Sequence, residues 1–175
     1  RPPSLSTNTA DPTGYQVVEQ EIYDNVEAGL SGVFLDGRMQ ATASAYYGQY
    51  KDFQTTRFDV SQGSFVTENS GNATSYGFKF DGRFEVADWL NVFGTYAYTL
   101  SEYDDEDDDG NALEFAGNRF RLTPENSFSI AADVHLPVGD EGEVFFGPSY
   151  TWKDDVFFED DNDPWEFQEA FGLVN

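Results

Sequence analysis

Two carboxylate clusters and one ladder of alternating charge are the residues of this 175-residue chain whose types and spacing could do chemistry. The run Asp104–Asp109 before Gly110 puts Asp105, Asp107 and Asp109 at alternate positions with the glycine sixth, as in an EF-hand calcium loop. Ala116 stands at the twelfth position, so the bidentate carboxylate that closes such a loop is missing. A solvated, self-repelling acidic loop is therefore the expectation, with weak binding of divalent cations as the sharper alternative. The run Glu159–Asp163 beside Pro164 and Trp165 could offer Asp161, Asp163 and the indole of Trp165 to a cationic or sugar ligand, although it carries no defined motif. Lys79, Asp81, Arg83 and Glu85 alternate in sign at every second position, which makes a charge ladder and not a catalytic constellation. His135 is the only histidine and there is no cysteine, so thiolate and multi-imidazole metal centres are excluded. With no convergent nucleophile–base pair, neither an enzyme nor a cofactor is expected.

The charge balance narrows the partners. A net charge of −24 argues against nucleic acid, whose phosphates would be repelled. Residues 102–109 hold seven acids and 154–169 hold eight of the 33, so the charge sits in a few stretches and does not imply disorder. Aromatics make up 17% of a chain whose mean hydropathy is −0.56. A membrane barrel reconciles those two facts, because alternate residues face lipid and a wet interior.

The elements that must carry these residues are strands. From Thr74 to Val86 one parity reads Thr74, Tyr76, Phe78, Phe80, Gly82, Phe84, Val86, without a charge. The other contains Lys79, Asp81, Arg83 and Glu85, which are expected to face the lumen. Slipping the register by one would put both cations on the lipid face, at about 2–4 kcal/mol each near the midplane. Leu90, Val92, Gly94, Tyr96, Tyr98 and Leu100 continue the apolar parity after a turn at 87–89, where Trp89 suits a water–lipid interface. In all, seven antiparallel strands are expected, at about 22–34, 38–53, 74–86, 90–101, 127–136, 143–153 and 169–175. The Asp36-Gly37 pair marks a tight hairpin between the first two.

Connection lengths then set the topology. Residues 35–37, 87–89 and 137–142 are short connections, and 54–73, 102–126 and 154–168 are long ones. They alternate along the chain, so every short turn falls at one end, as in outer-membrane barrels with short periplasmic turns and long extracellular loops. Arg1–Gln20 is expected to lie in an extracellular loop. A soluble acidic β-sandwich for binding or adhesion is the competing fold, and a passive porin is the competing barrel.

Leu35-Asp36-Gly37-Arg38, followed by Ala41–Tyr47 and Tyr50-Lys51-Asp52-Phe53-Gln54, resembles a barrel hairpin of the TonB-dependent receptors. Asn72–Gly77, Ala116-Gly117-Asn118-Arg119, Pro124–Phe128 and Phe171–Asn175 are similar to later barrel segments of that family. Lys79 departs from it, standing where an acidic residue is frequent. The resemblance implies an all-β antiparallel transmembrane barrel of about 22 strands, of which this chain holds part. It also implies a plug domain and a TonB energy-coupling complex as partners, neither present in these residues, together with outer-membrane lipid. The implied activity is import of a scarce small-molecule nutrient across the bacterial outer membrane, by default a ferric siderophore, with a glycan or cobalamin as alternatives.

Overall fold

A computed structural model of the chain describes residues 1–7, 14–107, 110–139 and 142–175. In chain order the strands are β1 (Ser4–Thr7), β2 (Tyr15–Val18), β3 (Ile22–Phe34), β4 (Met39–Lys51), β5 (Gln54–Asp59), β6 (Ser64–Asn69) and β7 (Ala73–Ala87). They continue as β8 (Leu90–Tyr103), β9 (Asn126–Val138), β10 (Gly142–Phe146), β11 (Ser149–Lys153), β12 (Val156–Phe157), β13 (Phe167–Gln168) and β14 (Phe171–Val174). The main sheet has eight strands in the order β14-β11-β9-β8-β7-β4-β3, with β10 also on β9. The fold is all-β and antiparallel, a section of barrel wall.

The chain divides into two compact units. One comprises residues 27–46, 76–100 and 121–175 and holds most of the wall. Its register runs in unbroken rows. Tyr96, Phe128, Trp152 and Gly172 are cross-strand neighbours on one face, and so are Gly94, Ile130, Tyr150 and Val174. Phe128 stacks on Trp152 at 5.6 Å and meets Tyr150 at 5.7 Å, and Phe78 reaches Tyr96 at 5.5 Å. This apolar face stays open: Phe78, Phe80, Phe84, Val86, Ile130 and Leu136 are all exposed. The alternate rows are polar, with Thr95, Ser129 and Thr151 in line, and Ala97, Ser127 and Lys153 beside them. Tyr150 lies over Gly172, so a side chain at that glycine would collide with the ring.

Short turns close one end. Asp36 (φ 55°) and Gly37 (φ 96°) make a tight turn closed by Arg38 N–H donating to Leu35 O at 3.1 Å, the left-handed backbone that Asp-Gly tolerates. The Arg38 guanidinium then donates to the carbonyls of Glu85 and Val86, fastening the end of β7.

The other unit comprises residues 1–26, 47–75 and 101–120. It holds every buried apolar residue among those described: Val18, Val66, Ala73, Tyr103 and Phe115. Tyr50, Phe53 and Phe120 pack against Ala73, Tyr103 and Phe115, with Phe53 stacked on Phe120 at 4.7 Å and Phe120 5.0 Å from Tyr103.

The segment 54–73 contains a folded hairpin in place of an open loop. β5 pairs with β6 through Thr56–Thr67 (2.9 Å), Arg57–Glu68 (2.6 Å) and an edge-on Phe58–Phe65 contact. Arg1–Gln20 likewise holds the β1–β2 pair, tied on by Thr67 N–H to Ser6 Oγ at 2.8 Å. Two further boundaries differ from expectation. The stretch 143–153 is two strands, because Pro148 lacks an N–H, although its carbonyl still accepts from Ala132 at 3.0 Å. The last strand is only Phe171–Val174, and Asn175 exchanges both backbone bonds with Ser149 at 2.9 Å.

Candidate functional site

The polar face of the wall is built by alternation alone, so every second residue of a strand arrives on it. Lys79 pairs with Asp81 along its own strand at 3.3 Å. Arg83 donates to Asn91 Oδ1 at 3.3 Å and lies 5.7 Å from the Phe93 ring centroid. Glu85 contributes its backbone, its N–H donating to Arg38 O at 2.8 Å. The ladder thus resolves into local contacts and not one continuous chain of ion pairs. Asp81, Arg83, Phe93, Thr42 and Ser31 border a shallow cleft of about 380 Å³. Tyr46 crosses Gly77 to donate to Thr99 Oγ1 at 3.3 Å, a path that a side chain at Gly77 would block. His135 Nδ1 meets Glu143 Oε1 at 3.1 Å.

In the same unit, the segment 154–168 is ordered by its own acids. Asp161 Oδ1 accepts from Asp163 N–H at 3.1 Å, and Asp163 Oδ1 from Trp165 N–H at 2.9 Å. These carboxylates shape the turn, and it presents Trp165 at 91% exposure. Sequence reasoning missed Arg121, which pairs with Glu159 at 3.5 Å and with the buried Asp160 at 3.8 Å. The available signal was a pair of cations, Arg119 and Arg121, in a chain that has only nine.

In the other unit, Asp107 is also a turn acceptor. Its carboxylate takes the Asn111 N–H at 2.8 Å and the Asn111 side-chain amide at 2.9 Å. Asp105 accepts Leu113 N–H through its carbonyl at 3.1 Å. Asp109 lies outside the described residues. Among the described residues, no three acids or histidines gather as metal ligands would. The tip of the β5–β6 hairpin carries a further carboxylate that sequence reasoning passed over. Hydrogen bonds from Ser61 and Gln62 hold Asp59 down to a pKa of about 2. Four of them reach its two oxygens at 2.6–3.2 Å.

Residues 1–175 match the family described as TonB dependent receptor-like, beta-barrel. Solved structures share the fold. The ferric yersiniabactin uptake receptor FyuA from Yersinia pestis is 16% identical at a TM-score of 0.74, over 98% of this chain and 25% of that one. The ferric preacinetobactin receptor BauA from Acinetobacter baumannii is 13% identical at 0.67, over 97% and 24%. The pyoverdine receptor FpvA from Pseudomonas aeruginosa is 16% identical at 0.58, over 90% and 23%. The chain therefore spans about a quarter of the length of the structures it matches.

Proposed function

Since the chain belongs to the TonB-dependent receptor β-barrel family and is a piece of bacterial outer-membrane wall, we propose that its parent protein actively imports a scarce nutrient, by default a ferric siderophore. The family is one of receptors and transporters, not enzymes. The observation that carries the reading is the wall's two-facedness: continuous aromatic and aliphatic rows on one side, and hydroxyls and charges on the other. A membrane barrel accommodates both faces with the apolar rows left uncovered, because lipid takes the place of the second sheet that would bury them in a sandwich. The siderophore default is supported by FyuA and BauA, whose names describe receptors for ferric yersiniabactin and ferric preacinetobactin, and by FpvA, a pyoverdine receptor.

In this scheme Lys79, Asp81, Arg83 and Glu85 line the lumen. The acidic segments with Asp105, Asp107, Asp109, Asp161, Asp163 and Trp165 help to capture substrate at the extracellular side. A plug domain gates the lumen, and the TonB complex supplies energy. Passive passage is the alternative that the test must separate. The full receptor, expressed in an iron-starved strain, should support ferric-siderophore uptake only when TonB is intact. Uptake that persists at the same rate without TonB would convert the reading to a porin.

A further inference from the structure

Only nine of the 175 residues are Lys or Arg, and two of them bracket one patch of the wall's polar face. Ala97, Ser127 and Lys153 are direct cross-strand neighbours on β8, β9 and β11. A methyl group on Gly77 would sit 3.1 Å from the Thr99 Cα, which marks those two residues as neighbours across β7 and β8. Two positions along, antiparallel pairing puts Lys79 across from Ala97. Lys79 and Lys153 therefore end one row across four strands, about 14 Å apart at the backbone for three strand spacings. Between them lie only small residues, so the row is a trough. The next row adds hydroxyls, Thr95, Ser129 and Thr151, with Thr151 donating to Ser129 Oγ at 3.2 Å. The depression has a volume of about 200 Å³, and no carboxylate lines it.

This composition is unusual for a chain of net charge −24. Asp81 holds Lys79 from one row away at 3.3 Å, and it engages one ammonium that has three donors. Lys153 makes no ion pair among the described residues. Two lysines that end one row, with three hydroxyl-bearing residues along the next, match an oxyanion with carboxylates at both ends, since hydrogen bonds to ionised groups are the strong ones.

We infer that the trough between Lys79 and Lys153 binds a small polycarboxylate, or a carboxylate-bearing arm of a larger chelate, on the inner side of the wall. The inference rests on the reading that this face lines the lumen, and it names the charge class of molecule that the lumen accepts there. Binding would weaken with salt, as it does for partly exposed charges.

The test is titration of the full receptor in nanodiscs with citrate at low ionic strength. Lys79→Gln and Lys153→Gln should each weaken binding about three- to tenfold, and the double variant should abolish it. Asp81→Asn should tighten binding about two- to threefold by releasing Lys79. Lys51→Gln, a cation outside the trough, should change nothing. Citrate binding that is absent in the wild type, unchanged in the double variant, or equally weakened by Lys51→Gln would overturn the site. TonB dependence of uptake is scored separately in the same strains. A failed site with TonB-dependent uptake leaves the transport reading standing, and TonB-independent uptake removes that reading whatever citrate does.

Discussion

The two units solve opposite solvent problems with similar residues. The unit of residues 1–26, 47–75 and 101–120 turns aromatic rings inward, and Tyr103 falls to 2% exposure among Phe53, Phe115 and Phe120. The wall unit turns its rings outward: Phe78 is 46% exposed and Tyr76 is 41%. In water the second arrangement would be an aggregation surface. In a bilayer it needs no covering, because lipid supplies the apolar environment. An aromatic ring in this chain therefore reports its surroundings through its neighbours in the register, not through its own type.

Paired substitutions can break that contrast. The largest expected effect is Tyr103→Ala, which empties the buried aromatic cluster and should destabilise its unit by about 3–5 kcal/mol. Hydrogen exchange should show residues 101–120 losing protection while the wall strands keep theirs. Phe78→Arg comes next, at about 2–4 kcal/mol for a cation on the lipid face. Thr95→Arg, the same charge on the polar face, should cost far less; unfolding of the receptor from bilayers measures both. Equal costs would remove the distinction between the faces.

Gly77→Ala should cost about 1–3 kcal/mol, because its methyl group would meet the Tyr98 carbonyl and the Tyr46 ring. The smallest effect is a pH dependence at Asp59. Its folded pKa of about 2 lies below the ordinary carboxylate value, so the stabilisation is complete above about pH 4. It is lost as the pH falls through about 2. Protection factors of the Ser61 and Gln62 amides, referred to the intrinsic exchange rate at each pH, should hold at neutral pH and fall only at that acid end, and Asp59→Ala should lower them throughout.

Much of the wall was legible from one sequence. Alternation from Thr74 to Val86 separates the two faces because a strand has a period of two and lipid strongly penalises a charge. The other unit was less legible. Tyr50, Phe53, Tyr103, Phe115 and Phe120 meet from separate segments, and alternation within a strand says nothing about which rings converge. A clue was present: Tyr50 shares the polar parity of β4 with Gln40, Thr42 and Ser44, where a large ring needs a partner. The β5–β6 hairpin hid for a different reason. Its turn uses Asp59, Ser61 and Gly63 (φ 64°) over several residues, not a two-residue Asn-Gly or Asp-Gly signal. The acids read as possible ligands also serve as turn acceptors at Asp107, Asp161 and Asp163, a role that composition does not distinguish from cation binding.

The central claim is that the apolar and polar faces of the wall meet lipid and lumen respectively. Its most direct test places a spin label at each position from Tyr76 to Val86 of the full receptor in bilayers. Accessibility to oxygen and to a water-soluble nickel chelate is then recorded by electron paramagnetic resonance. The account predicts strict alternation, with oxygen favoured at Tyr76, Phe78, Phe80, Gly82, Phe84 and Val86 and the nickel chelate at Gly77, Lys79, Asp81, Arg83 and Glu85. Uniform access to the nickel chelate along the strand, or alternation of the opposite phase, would contradict it.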